Sequence, residues 1–151
     1  MVTTLLTTHH VGGRAGTRTF PSMKYFEKDL VNVLYEADES SISGIKKETH
    51  YLPSKTIILP DCLSGSAGKR KFYIYNNRYF SSLYPLKPEQ TGAYSFDSQF
   101  GWDTDPKALS IVETLTLDTV TLDEVVKREK SENIPSPDFL SLDTQGSELE
   151  I

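Results

Sequence analysis

Three glycines and one acid have the types and the spacing of a nucleotide-binding turn. Gly12, Gly13 and Gly16 end the β-branched run "TTLLTTHHV", and Glu36 ends the apolar run "LVNVLYE". Glycines at a strand-to-helix turn let backbone N–H groups approach a ligand, and a helix N-terminus favours negative charge. An acid at the tip of the neighbouring strand, about 20 residues further on, accepts hydrogen bonds from ribose hydroxyls. The pattern favours binding of an adenosine-containing cofactor over a purely structural role, in which the glycines only form a tight turn and Glu36 only ends a strand.

Two further acids follow predicted strands. Asp61 comes after "TIILP", where it would face the same crevice near an adenine ring or be only a turn residue after Pro60. Asp143 ends "FLSL" and would lie beside the glycine turn, near the reacting end of a cofactor, if the strands follow the usual doubly wound order. Glu148 falls in the first turn of a predicted helix, where an acid also stabilises the helix dipole. Its functional and structural roles both stay open.

Other residues narrow the classes of function. The net charge of −5 argues against nucleic-acid binding driven by positive charge, and no apolar stretch approaches membrane-spanning length. His9 and His10 are adjacent and point to opposite strand faces, and no Cys/His cluster predicts a metal site. Cys62 is the single cysteine, which fits a reducing, cytoplasmic compartment and favours a small packing residue over a nucleophile.

The elements that would position these residues alternate over the first sixty positions. Strand patterns are "TTLLTTHHV", "LVNVLYE" and "KTIILPD", and the second is apolar enough to be buried on both faces. Asp38 or Ser40 can cap the helix that precedes the third strand. Helical spacing in the segment before the second strand is shown by Phe20, Met23, Phe26 and Leu30. This alternation predicts a parallel sheet with crossover helices.

The second half of the chain has a different pattern. "RKFYIYN" and "SIVETLTLD" are β-like and are predicted to pair as an antiparallel insertion, with a long loop or lid over residues 76–108 between them. Thr121 and Glu124 have the spacing of a capping box at the start of a helix. "DFLSLD" is then predicted to be the next parallel strand, buried on both faces. The expected fold class is α/β, with a doubly wound, mostly parallel sheet.

These motifs together resemble the FkbM-type methyltransferases, which use S-adenosylmethionine. The resemblance is carried by "VETLTLDTVTLDEV" and "PDFLSLDTQGSELEI", with "VGGRAGT", "VLYEADES" and "LPDCLSGSAGKRKFYIYNNRYFSSLYP" similar to the family's other motifs. It covers almost the whole chain and implies a class I methyltransferase-like Rossmann fold. Family members continue past the final glutamate motif through further strands. The chain is therefore expected to be one domain over residues 1–151, truncated at its carboxyl terminus, whose exposed sheet edge would allow self-association.

The resemblance also implies a role for each site residue. The methionine part of the cofactor would lie beside Gly12, Gly13 and Gly16. The ribose hydroxyls would bond to Glu36, and the adenine would lie near Asp61 and Cys62. Asp143 would lie near the methyl-transfer centre, placing the acceptor or taking its proton. The sequence departs from the family at His10, where the first strand often carries an acid that contacts the methionine amino group.

The hypothesis from the sequence is an S-adenosylmethionine-dependent methyltransferase. It would methylate a hydroxyl of a sugar or other small-molecule acceptor, with no nucleic-acid, membrane or metal partner. Two alternatives stay open. The glycine turn and Glu36 suit an NAD-dependent oxidoreductase equally well, and a truncated Rossmann-like module could have lost its catalysis.

Overall fold

The computed structural model describes residues 5–16, 28–47, 55–87, 107–129 and 134–151. Its strands are Leu6–Val11 (β1), Leu30–Tyr35 (β2), Lys55–Leu59 (β3), Cys62–Leu63 (β4), Gly68–Tyr75 (β5), Ile111–Val120 (β6) and Phe139–Leu142 (β7). Its α-helices are Gly13–Gly16 (α1), Glu39–Lys47 (α2) and Leu122–Glu129 (α3), and a 3-10 helix covers Arg78–Phe80. Among the described residues no helix is long and apolar enough to cross a membrane.

Four of the strands form a parallel sheet in the order β3-β2-β1-β7. Val11 at the end of β1 pairs with Tyr35 of β2 on one side and with Leu142 of β7 on the other. The chain runs outward from β1 through β2 to β3 and later returns to the opposite side of β1. The strand order therefore reverses between β1 and β7, which is where open α/β sheets form their ligand crevice. The α/β class and the predicted position of β7 beside the glycine turn are confirmed.

Strand β2 is buried on both faces, as its composition predicts. All six residues of β2 are buried, and Val33 and Leu34 have no exposed surface. Leu30 is the first residue of β2 and not part of the preceding helix, because it is in register with Leu6 of β1. The other three positions of that predicted helix lie outside the described residues.

The outer strands of the sheet are less buried than their sequences predict. Phe139 and Leu140 of β7 are 45% and 37% exposed, so burial of this strand on both faces was a wrong prediction. Within the described chain β7 pairs only with β1, and β3 pairs only with β2. An apolar run therefore does not by itself distinguish a central strand from an outer one.

The inserted β segment is larger than the predicted antiparallel pair. β5 and β6 do pair antiparallel, from Gly68 opposite Thr119 to Tyr75 opposite Ile111. In addition β4 joins β6 in parallel, which makes a three-stranded mixed sheet in the order β4-β6-β5. The two residues of β4 are too few to show an alternating pattern. Of the predicted loop over residues 76–108, the described part contains the 3-10 helix and a bridge between Tyr73 and Ser82.

Helices α2 and α3 begin as the capping patterns predict. Asp38, and not Ser40, caps α2, because its carboxylate accepts a hydrogen bond from the Ser40 backbone N–H at 3.2 Å. The capping box of α3 is formed by reciprocal bonds: Glu124 N donates to Thr121 Oγ1, and Thr121 N donates to Glu124 Oε2. Val125 of α3 is fully buried in a cluster with Val11, Val33 and Leu63. That cluster connects α3 to both sheets.

Candidate active site

A cleft of about 600 Å³, including its part open to solvent, lies at the carboxyl ends of β1, β2 and β7. Five of the seven predicted site residues line it: Gly12, Glu36, Asp61, Cys62 and Asp143. Gly12 and Asp143 face the same cleft, so the predicted convergence of the strand ends is confirmed as geometry. The role of each residue in binding or catalysis stays a prediction.

Three of the lining residues are held by hydrogen bonds that extend the sheet past its strand ends. Gly12 N donates to Tyr35 O at 3.1 Å, Glu36 N donates to Leu59 O at 3.0 Å, and Asp143 N donates to Val11 O at 2.9 Å. Each of these residues follows the last residue of its strand. Their backbones therefore have fixed positions relative to one another at the rim of the cleft.

Position 12 requires a glycine because the backbone at the end of β7 lies directly against it. Its φ is +93°, a conformation that L side chains rarely adopt. A Cβ built on Gly12 would lie 2.1 Å from the carbonyl oxygen of Asp143, well inside van der Waals contact. Absence of a side chain at position 12 thus allows Asp143 to approach the glycine turn.

The other two glycines have different surroundings. A Cβ on Gly13 would lie 3.1 Å from Tyr35 O and 3.3 Å from the Glu36 Cβ, so Gly13 packs α1 closely against β2. Gly13 does not line the cleft. Gly16 is the last residue of α1. Contacts of Gly13 and Gly16 with a cofactor stay predictions.

The carboxylate of Glu36 is buried but ordered by backbone donors. Only 7% of the residue is exposed. Oε1 accepts from Asp38 N at 2.9 Å, and Oε2 accepts from Arg14 N at 3.1 Å. Burial raises the pKa of Glu36, although these hydrogen bonds and the Arg14 charge act in the opposite direction. A carboxylate oxygen can accept two hydrogen bonds, so each retains capacity for a ligand hydroxyl.

Two arginines and a tyrosine form a side of the cleft that the sequence did not predict. The Arg14 and Arg78 guanidinium groups lie 3.3 and 2.6 Å from Asp38 Oδ2, and the Arg14 guanidinium lies 5.7 Å from the centre of the Tyr79 ring. Burial opposes ionisation of Asp38, but hydrogen bonds from Ser40, Ser41 and Arg78 lower its pKa overall. No periodic pattern links residues 38 and 78, so the pairing has no sequence signal.

Asp61 is held by an arginine from another element. Its carboxylate makes a bidentate pair with Arg128 of α3, with Oδ1 to Nη1 at 3.1 Å and Oδ2 to Nη2 at 2.7 Å. The neighbouring Cys62 is buried, and burial raises the pKa of its thiol to about 11. Cys62 packs with Phe72 and Ile74. It is therefore protonated at neutral pH, as expected for a packing residue and not for a nucleophile.

The segment after β7 turns sharply before Glu148. Gln145 and Gly146 have φ of 59° and 122°, so the backbone turns sharply here, as the glycine predicts. The Glu148 carboxylate accepts from Thr144 N and Gly146 N, both at 2.8 Å. Partial burial raises its pKa, but these donors outweigh burial and lower it. A bond from Glu150 N to Ser147 O at 3.0 Å closes a turn that contains Glu148, and its place in a helix stays a prediction.

Asp143 lines the cleft, and within the described residues one side chain bonds to its carboxylate. Gln145 Nε2 donates to Asp143 Oδ1 at 2.9 Å. Thr144 and Ser147 line the cleft beside it, and Ser147 Oγ donates to Thr144 Oγ1 at 2.8 Å. The site therefore has an acid and hydroxyl groups at the end where the strand order reverses.

The two histidines of β1 serve packing. His9 is fully buried and bonds through Nε2 to Pro135 O at 3.0 Å and through Nδ1 to the Tyr35 hydroxyl at 2.8 Å. His10 is 2% exposed, and its Nε2 bonds to Gly12 O at 3.1 Å. Burial lowers the pKa of both imidazoles. His10 thus supports the glycine turn from within the sheet and offers no carboxylate to the cleft. Within the described residues no group of three or more potential metal ligands is found.

Comparison with known proteins gives one result that agrees with this geometry. The family model described as the methyltransferase FkbM domain matches residues 10–151, a range that includes every predicted site residue. No curated protein and no solved structure matches the chain significantly. The family match extends over nearly the whole chain and supports methyl transfer as its chemistry. The chain therefore belongs to the FkbM methyltransferase domain family.

Proposed function

We propose that the protein transfers a methyl group from S-adenosylmethionine to a hydroxyl of a sugar or other small-molecule acceptor. The observation that carries this proposal is the cleft where Gly12, Glu36 and Asp143 meet at the reversal of strand order. Membership of the FkbM family supplies the methyltransferase chemistry, and S-adenosylmethionine is the cofactor that the family generally uses.

The residues of the cleft fit such a cofactor. Gly12 lines the cleft with its backbone, and Glu36 and Asp61, which also line it, supply hydrogen-bond acceptors. Apolar walls suited to a flat purine ring are formed by Leu63, Phe72 and Leu83. The bound cofactor would supply an electrophilic methyl group on a sulfonium. His10 is the one poor fit, since it gives no acid for the methionine ammonium group.

Each residue has a task that follows from its position. Glu36 accepts hydrogen bonds from the ribose hydroxyls, using the lone pairs that the Arg14 and Asp38 N–H groups leave free. Asp61 accepts from the purine amino group. The methionine portion of the cofactor lies against the backbone of the turn at Gly12. Together these contacts fix the methyl group in line for attack, which is the main requirement of a displacement at carbon.

Asp143 is the group that acts on the acceptor. With S-adenosylmethionine bound, the Asp143 carboxylate would take the proton that the acceptor hydroxyl loses on methylation. Asp143 lines the cleft at the reversal point, and Gln145 bonds to only one oxygen of its carboxylate within the described residues. The other oxygen therefore remains to bind and orient the hydroxyl.

Calorimetric titration with S-adenosylhomocysteine and with NAD tests the proposal. We expect saturable binding of S-adenosylhomocysteine and none of NAD. Preference for NAD would indicate the oxidoreductase, and binding of neither would indicate a module without cofactor chemistry. Methyl transfer from labelled S-adenosylmethionine to a panel of hydroxylated sugars and small molecules would then identify the acceptor class.

A further inference from the structure

Asp61 is held differently from the other acids of the cleft. Glu36 and Asp143 each follow a strand directly and continue its hydrogen bonding through their own N–H groups. Asp61 is separated from the end of β3 by Pro60, which has no N–H to extend the sheet. The orientation of its carboxylate is set by side-chain contacts, since both oxygens bond to Arg128.

We propose that Arg128 is a positioning residue that orients Asp61 and thereby makes the cleft selective for a 6-aminopurine over a 6-oxopurine. This inference rests on the proposed function, because it assumes that the purine of the cofactor lies at Asp61. Arg128 does not itself line the cleft, whereas Asp61 does. Arg128 acts through the carboxylate and not by touching the ligand.

The bidentate contact fixes the plane of the carboxylate. Two parallel N–H···O bonds from a planar guanidinium define both the direction and the rotation of the acid. Each oxygen uses one acceptor position for Arg128 and retains another. A 6-amino group can donate to such a position, whereas a 6-oxo group would place an oxygen lone pair against a negative oxygen. A site that leaves a polar group unpaired with the wrong ligand discriminates strongly.

Both ends of the pair are attached to the same buried cluster. Val125 lies three residues before Arg128 on α3, a spacing that puts them on one helix face, and Val125 is fully buried. Leu63 lies two residues after Asp61 and packs with Val125 in that cluster. The capping box of Thr121 and Glu124 fixes the start of the same helix. Arg128 therefore extends from a fixed element toward a fixed loop.

The exposure of the pair argues that positioning outweighs its contribution to stability. The Arg128 side chain is 50% exposed and that of Asp61 is 14% exposed. Solvent-exposed ion pairs add little to folding, since water and ions screen them. Removal of Arg128 should leave the fold intact while it frees the carboxylate to rotate.

The test compares the affinities of S-adenosylhomocysteine and S-inosylhomocysteine, which differ at position 6 of the purine. Wild-type protein should prefer the adenosyl ligand by about tenfold or more, the size expected for one hydrogen bond to a charged group. Arg128→Gln should lose most of that preference. Lys127→Gln is the matched control, because it removes one positive charge from an exposed neighbour on α3 and should keep the preference.

Two further variants separate positioning from general damage. Arg128→Lys keeps the charge but cannot make the bidentate contact, so the preference of this variant for the adenosyl ligand should also fall. Asp61→Asn should abolish the preference, and Arg128→Gln added to it should change nothing further, because Arg128 acts through Asp61. Thermal unfolding checks that each variant is folded. If Arg128→Gln is not folded, the result for Arg128→Lys decides whether Arg128 orients Asp61.

The outcomes separate this inference from the proposed function. If wild-type protein binds neither ligand, the proposed function fails and the inference fails with it. If wild-type protein binds S-adenosylhomocysteine selectively and both Arg128 variants keep the full preference, the proposed function stands and the role of Arg128 is refuted.

Discussion

Replacement of Gly12 by alanine tests the contact on which the geometry of the cleft depends. A Cβ at this position would lie 2.1 Å from Asp143 O, and the backbone has a φ of +93°. The left-handed conformation costs an L-residue about 1–2 kcal/mol. Separation of the two strand ends would also break the bond from Asp143 N to Val11 O, at a cost of about 1 kcal/mol.

The expected loss for Gly12→Ala is therefore about 2–3 kcal/mol in the free energy of unfolding. That is a large part of the ~5–15 kcal/mol typical of a domain. Urea denaturation followed by circular dichroism measures it, and calorimetry with S-adenosylhomocysteine measures the accompanying loss of affinity. Binding should weaken because both the turn and Asp143 must move.

Gly44→Ala is the matched control. Gly44 lies within α2, and a Cβ there would have no heavy atom within 4 Å. Alanine at an exposed helical position is expected to raise the free energy of unfolding by about 0.5–1 kcal/mol. A Gly12→Ala protein that unfolds at the wild-type urea concentration and binds S-adenosylhomocysteine normally would refute the close approach of β7 to the glycine turn.

Four further outcomes are expected. Glu36→Ala should weaken S-adenosylhomocysteine binding by about 1.5–3 kcal/mol, and unchanged affinity in a folded variant would remove Glu36 from the ribose site. Asp143→Asn should lower the rate of methyl transfer by on the order of 10²-fold with little change in cofactor affinity; an equal loss of both would mean that Asp143 binds the cofactor instead. Burial lowers the pKa of His9 and His10 from 6.5, so on acidification these side chains take up protons in the unfolded state before they do in the folded state. The free energy of unfolding should therefore fall as the pH drops through 6.5; a free energy of unfolding that does not change with pH in urea titrations would contradict this. Phe139 is 45% exposed on a strand that pairs on one side only among the described residues, so Phe139→Lys should reduce self-association in analytical ultracentrifugation, whereas a monomeric wild-type protein would exclude association through this edge.

The elements that the sequence predicts well are those with a strong local pattern. β2 is apolar except for Asn32 and is buried throughout, and the capping box of Thr121 and Glu124 forms as its spacing predicts. Acids that follow such runs must lie near one rim, because the carboxyl ends of parallel strands meet there. This is why Glu36 and Asp143 could be placed before the structure was known.

The features that the sequence does not predict depend on pairing between distant residues. Arg78 bonds to Asp38 across 40 positions and Arg128 bonds to Asp61 across 67, and no periodicity marks such ion pairs. β4 has only two residues. The Glu148 carboxylate bonds to the backbone N–H groups of residues 144 and 146, contacts that composition does not indicate. In each case a side-chain or tertiary contact decides between local conformations of similar propensity.

The two ways of holding an acid in this cleft have different consequences for function. The backbones of Gly12, Glu36 and Asp143 are held through their own N–H groups in sheet register, so these backbone positions change only if the strands separate. That rigidity suits the end of the cleft where methyl transfer is proposed, since small displacements there are costly to the rate. The Asp61 carboxylate is held by Arg128, so one substitution at a half-exposed residue can free that carboxylate to rotate without disturbing the sheet. Selectivity for the purine should therefore change more readily by substitution than the geometry of methyl transfer.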